Sequence, residues 1–326
     1  MESVQNAMSS ECRIGITLPP NHGVGTGNLR TAQRWIRILS DLGHEVRLFA
    51  SNDDLDCEIL LALNAVKSFE TLSRFHKQNP EGRVIVAVTG TDLNRSASGE
   101  WRAATDWADR VIVLQEKAYQ ALDPRIRAKT VVMNQSVTLP AGLGKKSKQE
   151  GFQVVVVGHL RDEKDPMLAG MAARLLDDDS RVRILQAGAI LEEKYRTEVM
   201  DEQAMNPRYQ WLGELPRRET LELIANSQLM VLSSISEGGP AVIGESVMAG
   251  TPILASKIDG VVGLLGEGYP GYFNPGDAIG LSKLLRRAEN EQAFYSELIE
   301  ATEAKQKLFD PARESQAWVE LLKSLD

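Results

Sequence analysis

Two glutamates, Glu237 and Glu245, stand eight positions apart, and the residues between them could bring both to one ligand. Gly238 and Gly239 let the backbone approach a bound molecule without a side chain in the way. Carboxylates accept hydrogen bonds from hydroxyl groups, such as those of a sugar or a ribose. The spacing therefore indicates a ligand that carries hydroxyl groups at both ends.

The residues around the glutamates indicate which group could lie in the middle of such a ligand. The apolar run at 229–232 is typical of a buried parallel strand, and Pro240 suits the first position of a helix. Free N–H groups at a helix start favour a phosphate, and from Pro240 to Glu245 the helix rises about 7.5 Å. That span fits a nucleotide diphosphate between the carboxylates. Two solvated glutamates on a strand–turn–helix unit are the alternative, which the glycines and Pro240 make less favourable.

Composition limits the classes of protein. The chain has 326 residues, enough for two domains, and 43% hydrophobic residues, enough for a sizeable core. Its net charge of −8 argues against a nucleic-acid binder. The four histidines and the acidic residues show no metal-ligand spacing, so we expect neither a metal nor a cofactor. Oligomeric state is not readable.

The chain also lacks the patterns of export and membrane insertion. The first ten residues have no basic and apolar leader, and no apolar run approaches the ~18 residues of a membrane span. Cys12 and Cys57 do not make a disulfide framework. These features predict a cytoplasmic protein without a membrane span.

Short apolar runs alternate with amphipathic stretches, which predicts βαβ units and parallel sheets. Strands are predicted at 13–18, 45–50, 59–63, 83–88, 111–114, 130–133, 152–157, 182–186, 209–212, 229–232 and 252–255. The predicted fold is α/β, with two Rossmann-like doubly wound domains facing an interdomain cleft. We predict a first domain at 1–140, a linker at 141–151, a second domain at 152–300, and a helical tail at 301–326 that packs back on the first domain.

A glycine loop with Gly25 and Gly27 follows the first predicted strand. It does not fit the dinucleotide fingerprint G-x-G-x-x-G, because Asn28 and Arg30 stand where glycines are needed. An oxidoreductase is therefore disfavoured. Because ligands of doubly wound sheets bind at the carboxyl ends of strands, this loop is a candidate phosphate or acceptor site. A plain strand–helix connection is the alternative.

Polar residues follow the fourth predicted strand in the same way. Thr91 and Asp92 offer a hydroxyl and a carboxylate, and Arg95 offers a guanidinium group for an anion. Asp92 could equally cap the next segment.

Two further candidate segments, each after a predicted strand, lie in the second half of the chain. Arg161 and Lys164 follow the strand at 152–157 and could neutralise a leaving diphosphate, although a charged surface turn is the plain alternative. Glu214 and Leu215 follow another strand, and the backbone there could contact a nucleobase edge.

The second half resembles family 4 glycosyltransferases of the GT-B fold. The resemblance rests on residues 158–164, 212–216, 237–252 and 271–277. It implies that Lys164 contacts the donor phosphate, Glu237 the donor sugar, and Glu245 the ribose. It also implies that the helix start at Gly238, Gly239 and Pro240 belongs to the donor site.

One departure narrows the resemblance. His159 stands where that family has an arginine, with Arg161 two residues on. The segment at 158–166, together with residues 89–93 and 27–35, is similar to the corresponding segments of the selenosugar synthases of the selenoneine pathway. Those enzymes join selenophosphate to the sugar of a UDP-sugar, usually UDP-N-acetylglucosamine, and form a carbon–selenium bond.

That resemblance implies a set of roles. The substrates would be a UDP-sugar and selenophosphate, with Lys164, Arg161, Glu237 and His159 at the reacting centre. His22 or His159 could donate a proton or make a polar contact, and either histidine could equally be structural. The candidate acceptor-binding residues are Gly25, Gly27, Asn28, Arg30, Thr91, Asp92 and Arg95.

Several alternatives stay open at this point. An ordinary family 4 transferase with an alcohol, lipid or glycan acceptor would share these motifs, as would a non-catalytic nucleotide-sugar binding protein. The choice between UDP-N-acetylglucosamine and UDP-glucose is open, and so is retention against inversion at the anomeric carbon.

Overall fold

The apolar runs of the chain form the strands of two parallel sheets. The structure, a computed structural model, describes residues 11–20, 27–50, 53–90, 92–93, 96–143 and 151–325. Within them the chain divides into two compact units. His22, Gly25, Thr91 and Arg95, which the sequence marks as candidates, lie outside the described residues.

The first unit contains one six-stranded parallel sheet in the order β2-β1-β3-β4-β5-β6. Its strands are β1 (Arg13–Thr17), β2 (Glu45–Phe49), β3 (Ile59–Leu63), β4 (Arg83–Val88), β5 (Arg110–Val113) and β6 (Thr130–Val132). Its helices begin with α1 (Gly27–Asp41), α2 (Phe69–Gln78), α3 (Gly99–Trp107), α4 (Glu116–Ala121) and α5 (Pro124–Arg127). The inner strands β3, β4 and β5 are almost wholly buried, as their continuous apolar runs require, whereas the edge strands β2 and β6 are half-buried or exposed.

Two hydrophobic cores cover the faces of this sheet. On one face Trp35 of α1 packs against Ile16 of β1. On the other face Phe75 of α2 and Trp101 of α3 pack against strand residues of the opposite alternation, such as Val86. Successive side chains of a strand point to opposite faces, so one strand serves both cores.

The second unit contains another six-stranded parallel sheet, in the order β12-β11-β10-β7-β8-β9. Its strands are β7 (Phe152–Val157), β8 (Val182–Ala187), β9 (Tyr209–Trp211), β10 (Leu229–Leu232), β11 (Ile253–Ser256) and β12 (Tyr272–Phe273). Its helices are α6 (Leu168–Arg174), α7 (Lys194–Met205), α8 (Arg217–Asn226), α9 (Ala241–Ala249), α10 (Asp259–Leu265), α11 (Ala278–Asn290) and α12 (Gln292–Glu303).

The chain passes from one unit to the other at Ser136–Val137 and returns at Asp310–Pro311. The first crossing precedes the sequence-predicted linker at 141–151, and residues 301–310 stay with the second unit. The backbone N–H of Val137 donates to the carbonyl of Phe309 at 3.0 Å, which holds both segments in that unit. The last helix, α13 (Pro311–Lys323), belongs to the first unit, where Trp318 packs edge-on against Trp35.

The order of the second sheet brings two polar loops together. Strands β7 and β10 pair directly and in parallel, with Val155 opposite Met230. The segments that follow them therefore leave the same edge of the sheet side by side. Those segments contain Lys164 and Glu237.

Candidate active site

Lys164 and Glu237 form an ion pair at the carboxyl edge of the second sheet. Lys164 ends a short 3-10 turn, Asp162–Lys164, and Glu237 lies on the loop between β10 and α9. Their side chains are only 19% and 11% exposed. The Ser234 hydroxyl also donates to the Glu237 carboxylate at 2.7 Å, so this carboxylate has two partners inside the unit.

Backbone contacts hold the two loops in register. The Ser233 hydroxyl donates to the Lys164 carbonyl at 2.9 Å, and the Ile235 N–H donates to the Glu163 carbonyl at 2.9 Å. Asp165, directly after the turn, adopts a left-handed backbone with φ 42°, which reverses the chain toward α6. The pair is thus positioned by rigid neighbours rather than by two free side chains.

Gly260 of α10 fixes the backbone of Glu237 from the other side. A Cβ atom placed on Gly260 would lie 2.0 Å from the Glu237 carbonyl oxygen. Only glycine allows this approach, because real Cβ contacts are never so short. The sequence reading missed Gly260, since nothing in the pattern at 259–265 indicates what the helix touches.

Pro240 lies one position earlier in the helix than the sequence predicts. It is the N-cap of α9, with extended backbone angles, and Ala241 is the first helical residue. The cap has no side-chain hydrogen bond, and the first turn carries no acidic residue. Because no side chain of the described helix start covers them, the N–H groups after Gly239 remain suited to an anion.

Glu245 lies within α9 and pairs with a residue that the sequence reading missed. Its carboxylate Oε1 accepts a hydrogen bond from Arg217 Nη1 at 2.7 Å. The Glu245 side chain is 5% exposed, whereas that of Arg217 is 50% exposed. Arg217 is the first residue of α8. In the sequence, only its position just after the candidate residues Glu214 and Leu215 could have indicated a role at the site.

The other predicted residues of this edge are not joined to the Lys164 pair. Arg161 makes a local ion pair with Glu163 at 3.6 Å. His159 accepts a hydrogen bond at Nδ1 from the Ala189 N–H at 3.1 Å. Glu214 is exposed and Leu215 half-buried.

Glycines set the shape of the neighbouring strand exits. A Cβ atom on Gly188 would lie 1.9 Å from the Gly158 carbonyl oxygen, and the Gly188 N–H donates to the Gly213 carbonyl at 2.8 Å. The ends of β7, β8 and β9 are therefore packed backbone to backbone. Lys164 lines a recess of about 10 Å³ there, room for one water molecule, together with Gly158 and Gln186.

In the first unit the described candidates lie at the start of α1 and after β4. Gly27 begins α1 and is exposed, while Asn28 and Arg30 are half-buried in its first turn. The Thr31 hydroxyl donates to the Gly27 carbonyl at 2.9 Å and closes that turn.

Asp92, a candidate acceptor-binding residue, contacts backbone groups of two loops. Its buried carboxylate accepts from the backbone N–H groups of Thr89 and Ala65, each at 3.0 Å, and of Val66 at 3.3 Å. Burial raises the pKa of this carboxyl to about 6. These hydrogen bonds join the loops after β3 and β4, and a role of Asp92 at the acceptor stays a prediction.

The described residues contain no group of three or more His, Cys, Asp or Glu side chains that could hold a metal ion. None of the helices in the described ranges is long and apolar enough to cross a membrane.

Comparison with known proteins identifies the family. The family model for glycosyl transferases group 1 matches residues 143–305, half of the 326-residue chain. The chain belongs to the glycosyl transferases group 1 family. The match contains the Lys164–Glu237 and Arg217–Glu245 pairs.

Two curated relatives agree with this family. The glycosyltransferase 1 domain-containing protein 1 of Xenopus tropicalis is 25% identical over 297 residues, which are 80% of this chain and 84% of that protein. TuaC of Bacillus subtilis, assigned to teichuronic acid biosynthesis as a glycosyltransferase, is 28% identical over 106 residues. That second match spans 32% of this chain and only 27% of TuaC.

Solved structures of glycosyltransferases share the fold. Anabaena HepE, solved in complex with UDP and glucose, superposes with a TM-score of 0.74 at 17% identity, covering 96% of this chain and 100% of HepE. The sucrose-phosphate synthase of Thermosynechococcus elongatus gives a TM-score of 0.74 at 15% identity, covering 96% and 98%. The transferase therefore has the GT-B fold, with two Rossmann-like domains that each contain a parallel sheet.

Proposed function

We propose that this transferase moves a sugar from a UDP-sugar to selenophosphate and forms a carbon–selenium bond. The observation that carries the donor half is the Lys164–Glu237 ion pair beside the start of α9. A partly buried ammonium next to free helix N–H groups suits a diphosphate. The acceptor half depends on the resemblance of both halves of the sequence to selenosugar synthases.

The ion pair offers a mechanism for donor binding. Lys164 and Glu237 neutralise each other in the described structure. When a diphosphate binds, the Lys164 ammonium turns to the phosphate oxygens, and the Glu237 carboxylate then accepts from a sugar hydroxyl. One pair thus serves both the leaving group and the sugar, and Glu245 of the same α9 accepts from the ribose.

Uridine is supported as the nucleoside by a structural relative. HepE was solved with UDP and glucose and, in a second crystal, with UDP-glucose. We extend the UDP moiety to this chain and take N-acetylglucosamine as its sugar, as in the selenosugar synthases.

Selenophosphate suits the candidate residues of the first unit. The start of α1 carries Arg30 and no acidic residue in its first turn, which favours an anionic acceptor. A selenophosphate anion is already a strong nucleophile, so it needs positioning more than a general base.

The chemical step balances without a further reactant. The selenium lone pair forms the bond to the anomeric carbon, the bond from that carbon to the diphosphate oxygen breaks, and its electron pair leaves with UDP. The charge that develops on the leaving oxygen is stabilised by Lys164 and by the α9 N–H groups.

A product assay tests this proposal. We would incubate the protein with UDP-N-acetylglucosamine or UDP-glucose and with selenophosphate, thiophosphate or orthophosphate, and analyse products by mass spectrometry. We expect a selenium-containing sugar with UDP-N-acetylglucosamine and none with orthophosphate. Transfer only to an alcohol, lipid or glycan would refute the selenophosphate acceptor and indicate an ordinary transferase. Binding of the UDP-sugar without turnover would indicate a non-catalytic binding protein.

A further inference from the structure

Arg217 and Glu245 form a second acid–base pair in the second unit, separate from Lys164 and Glu237. Arg217 begins α8 and Glu245 lies on α9, and the two helices pack side by side. Arg217 Nη1 donates to Glu245 Oε1 at 2.7 Å across 28 positions of sequence.

The burial of the two partners is unequal. The Glu245 side chain is 5% exposed, so its charge requires a partner. The Arg217 side chain is 50% exposed, and it makes no other hydrogen bond to the residues that the structure describes. A guanidinium group has five N–H donors, so most of its donors remain for a ligand.

The neighbouring arginine shows what an ordinary pair looks like here. Arg218 pairs with Glu222 one turn along the same helix at 2.9 Å, with side chains 71% and 43% exposed. An exposed ion pair of this kind contributes little to the stability of the fold. Arg217 differs because its partner is a buried carboxylate on another helix.

The Glu245 carboxylate keeps one oxygen for a ligand. Oε1 is bound to Arg217, and Oε2 has no hydrogen bond to another residue within the described ranges. The bond to Arg217 restricts rotation of the carboxylate, which leaves Oε2 in one direction.

We propose that Arg217 is a positioning residue that aims Glu245 at the ribose diol of the donor. This inference rests on the proposed function, in which Glu245 accepts from the ribose. Lys164 and Glu237 then serve the diphosphate and the sugar, and Arg217 and Glu245 serve the nucleoside. The site would discriminate a ribonucleotide from a 2′-deoxyribonucleotide through this second pair.

Affinities for UDP and 2′-deoxy-UDP test the inference, measured by calorimetry on the full chain. We expect the wild type to prefer UDP by about tenfold, as the loss of a hydrogen bond to a charged group implies. R217A should bring the ratio of the two affinities close to one. R217K, which retains the charge but not the fork geometry, should give an intermediate ratio.

R218A is the matched control and should retain both the affinity for UDP and the ratio. K164A should weaken the binding of both ligands equally and keep the ratio of the affinities, because it acts on the phosphates.

If R217A keeps the wild-type ratio, or the wild type binds both ligands equally, the inference is overturned. If the wild type does not bind UDP at all, the proposed function fails instead. If R217A does not fold, R217K decides by the same ratio.

Discussion

The Lys164 ammonium meets the Glu237 carboxylate across two neighbouring strand exits, although 73 positions separate them in sequence. The pairing of β7 with β10 makes this contact, and Ser233 and Gly260 hold its backbone. The proposed donor site therefore depends on the order of the strands in the second sheet.

Replacing Lys164 by alanine should remove most of the activity. The variant loses the ammonium that we propose stabilises the leaving diphosphate, so we expect kcat/KM to fall by about 10²–10³. UDP release with UDP-N-acetylglucosamine and selenophosphate measures it. Lys283→Ala, at an exposed position of α11, is the control and should keep wild-type turnover. Equal rates in the two variants would refute the role of Lys164.

Replacing Gly260 by alanine should displace Glu237 without removing any functional group. The new Cβ would begin 2.0 Å from the Glu237 carbonyl oxygen, so the loop must move. Because a displacement of about 1 Å at a reacting group can lower the rate strongly, we expect kcat to fall by about tenfold or more. Gly268→Ala, where an added Cβ meets nothing within 4 Å, should be silent. A Gly260→Ala enzyme with wild-type kcat contradicts the prediction.

Replacing Glu314 by alanine should destabilise the first unit. This buried carboxylate of α13 accepts from Trp35 Nε1 at 2.7 Å, the Ser136 N–H at 2.8 Å and Arg34 Nε at 3.1 Å. Its removal leaves the half-buried Arg34 cation and buried polar donors unpaired, so we expect a loss of about 3–5 kcal/mol in the free energy of unfolding. Urea unfolding measures it. Glu320→Ala, on the exposed side of α13, should change little, and a similar small change in Glu314→Ala would count against this role.

Asp92 should make stability depend on pH. Burial raises its pKa from 3.8 to about 6, so between these values the folded protein holds a proton that the unfolded chain has lost. Its contribution to stability therefore falls as pH rises through this window, by on the order of 3 kcal/mol, and levels off above it.

Urea unfolding of wild type and Asp92→Asn at several pH values between 4 and 7 measures this effect. The difference in unfolding free energy, wild type minus variant, should decrease as pH rises. A difference that stays constant or increases would show that the Asp92 carboxyl is not held in its protonated form.

The strands were readable from sequence because buried parallel strands are continuous apolar runs. Ile59–Leu63, Arg83–Val88 and Phe152–Val157 were predicted to the residue. The short elements Asp259–Leu265 and Tyr272–Phe273 were not predicted, since seven and two residues show no clear period.

The site was readable only in part, for a physical reason. Lys164, Glu237 and Glu245 stand in local motifs whose turn and helix signals lie in adjacent residues. Arg217 and Gly260 act through contacts with distant residues, and those contacts exist only once the sheet is assembled. The hydrogen-bond partners of Asp92 could not be predicted for the same reason, because those at 65–66 lie on another loop.

The most direct test of the account is the stoichiometry of one reaction. Purified protein would be incubated with UDP-N-acetylglucosamine and selenophosphate, and UDP and the selenium-containing sugar would be quantified in the same sample. We predict one carbon–selenium product for each UDP released, with neither formed by Lys164→Ala. UDP release without any carbon–selenium product would contradict the proposed acceptor, and no UDP release with any acceptor would contradict the transferase mechanism itself.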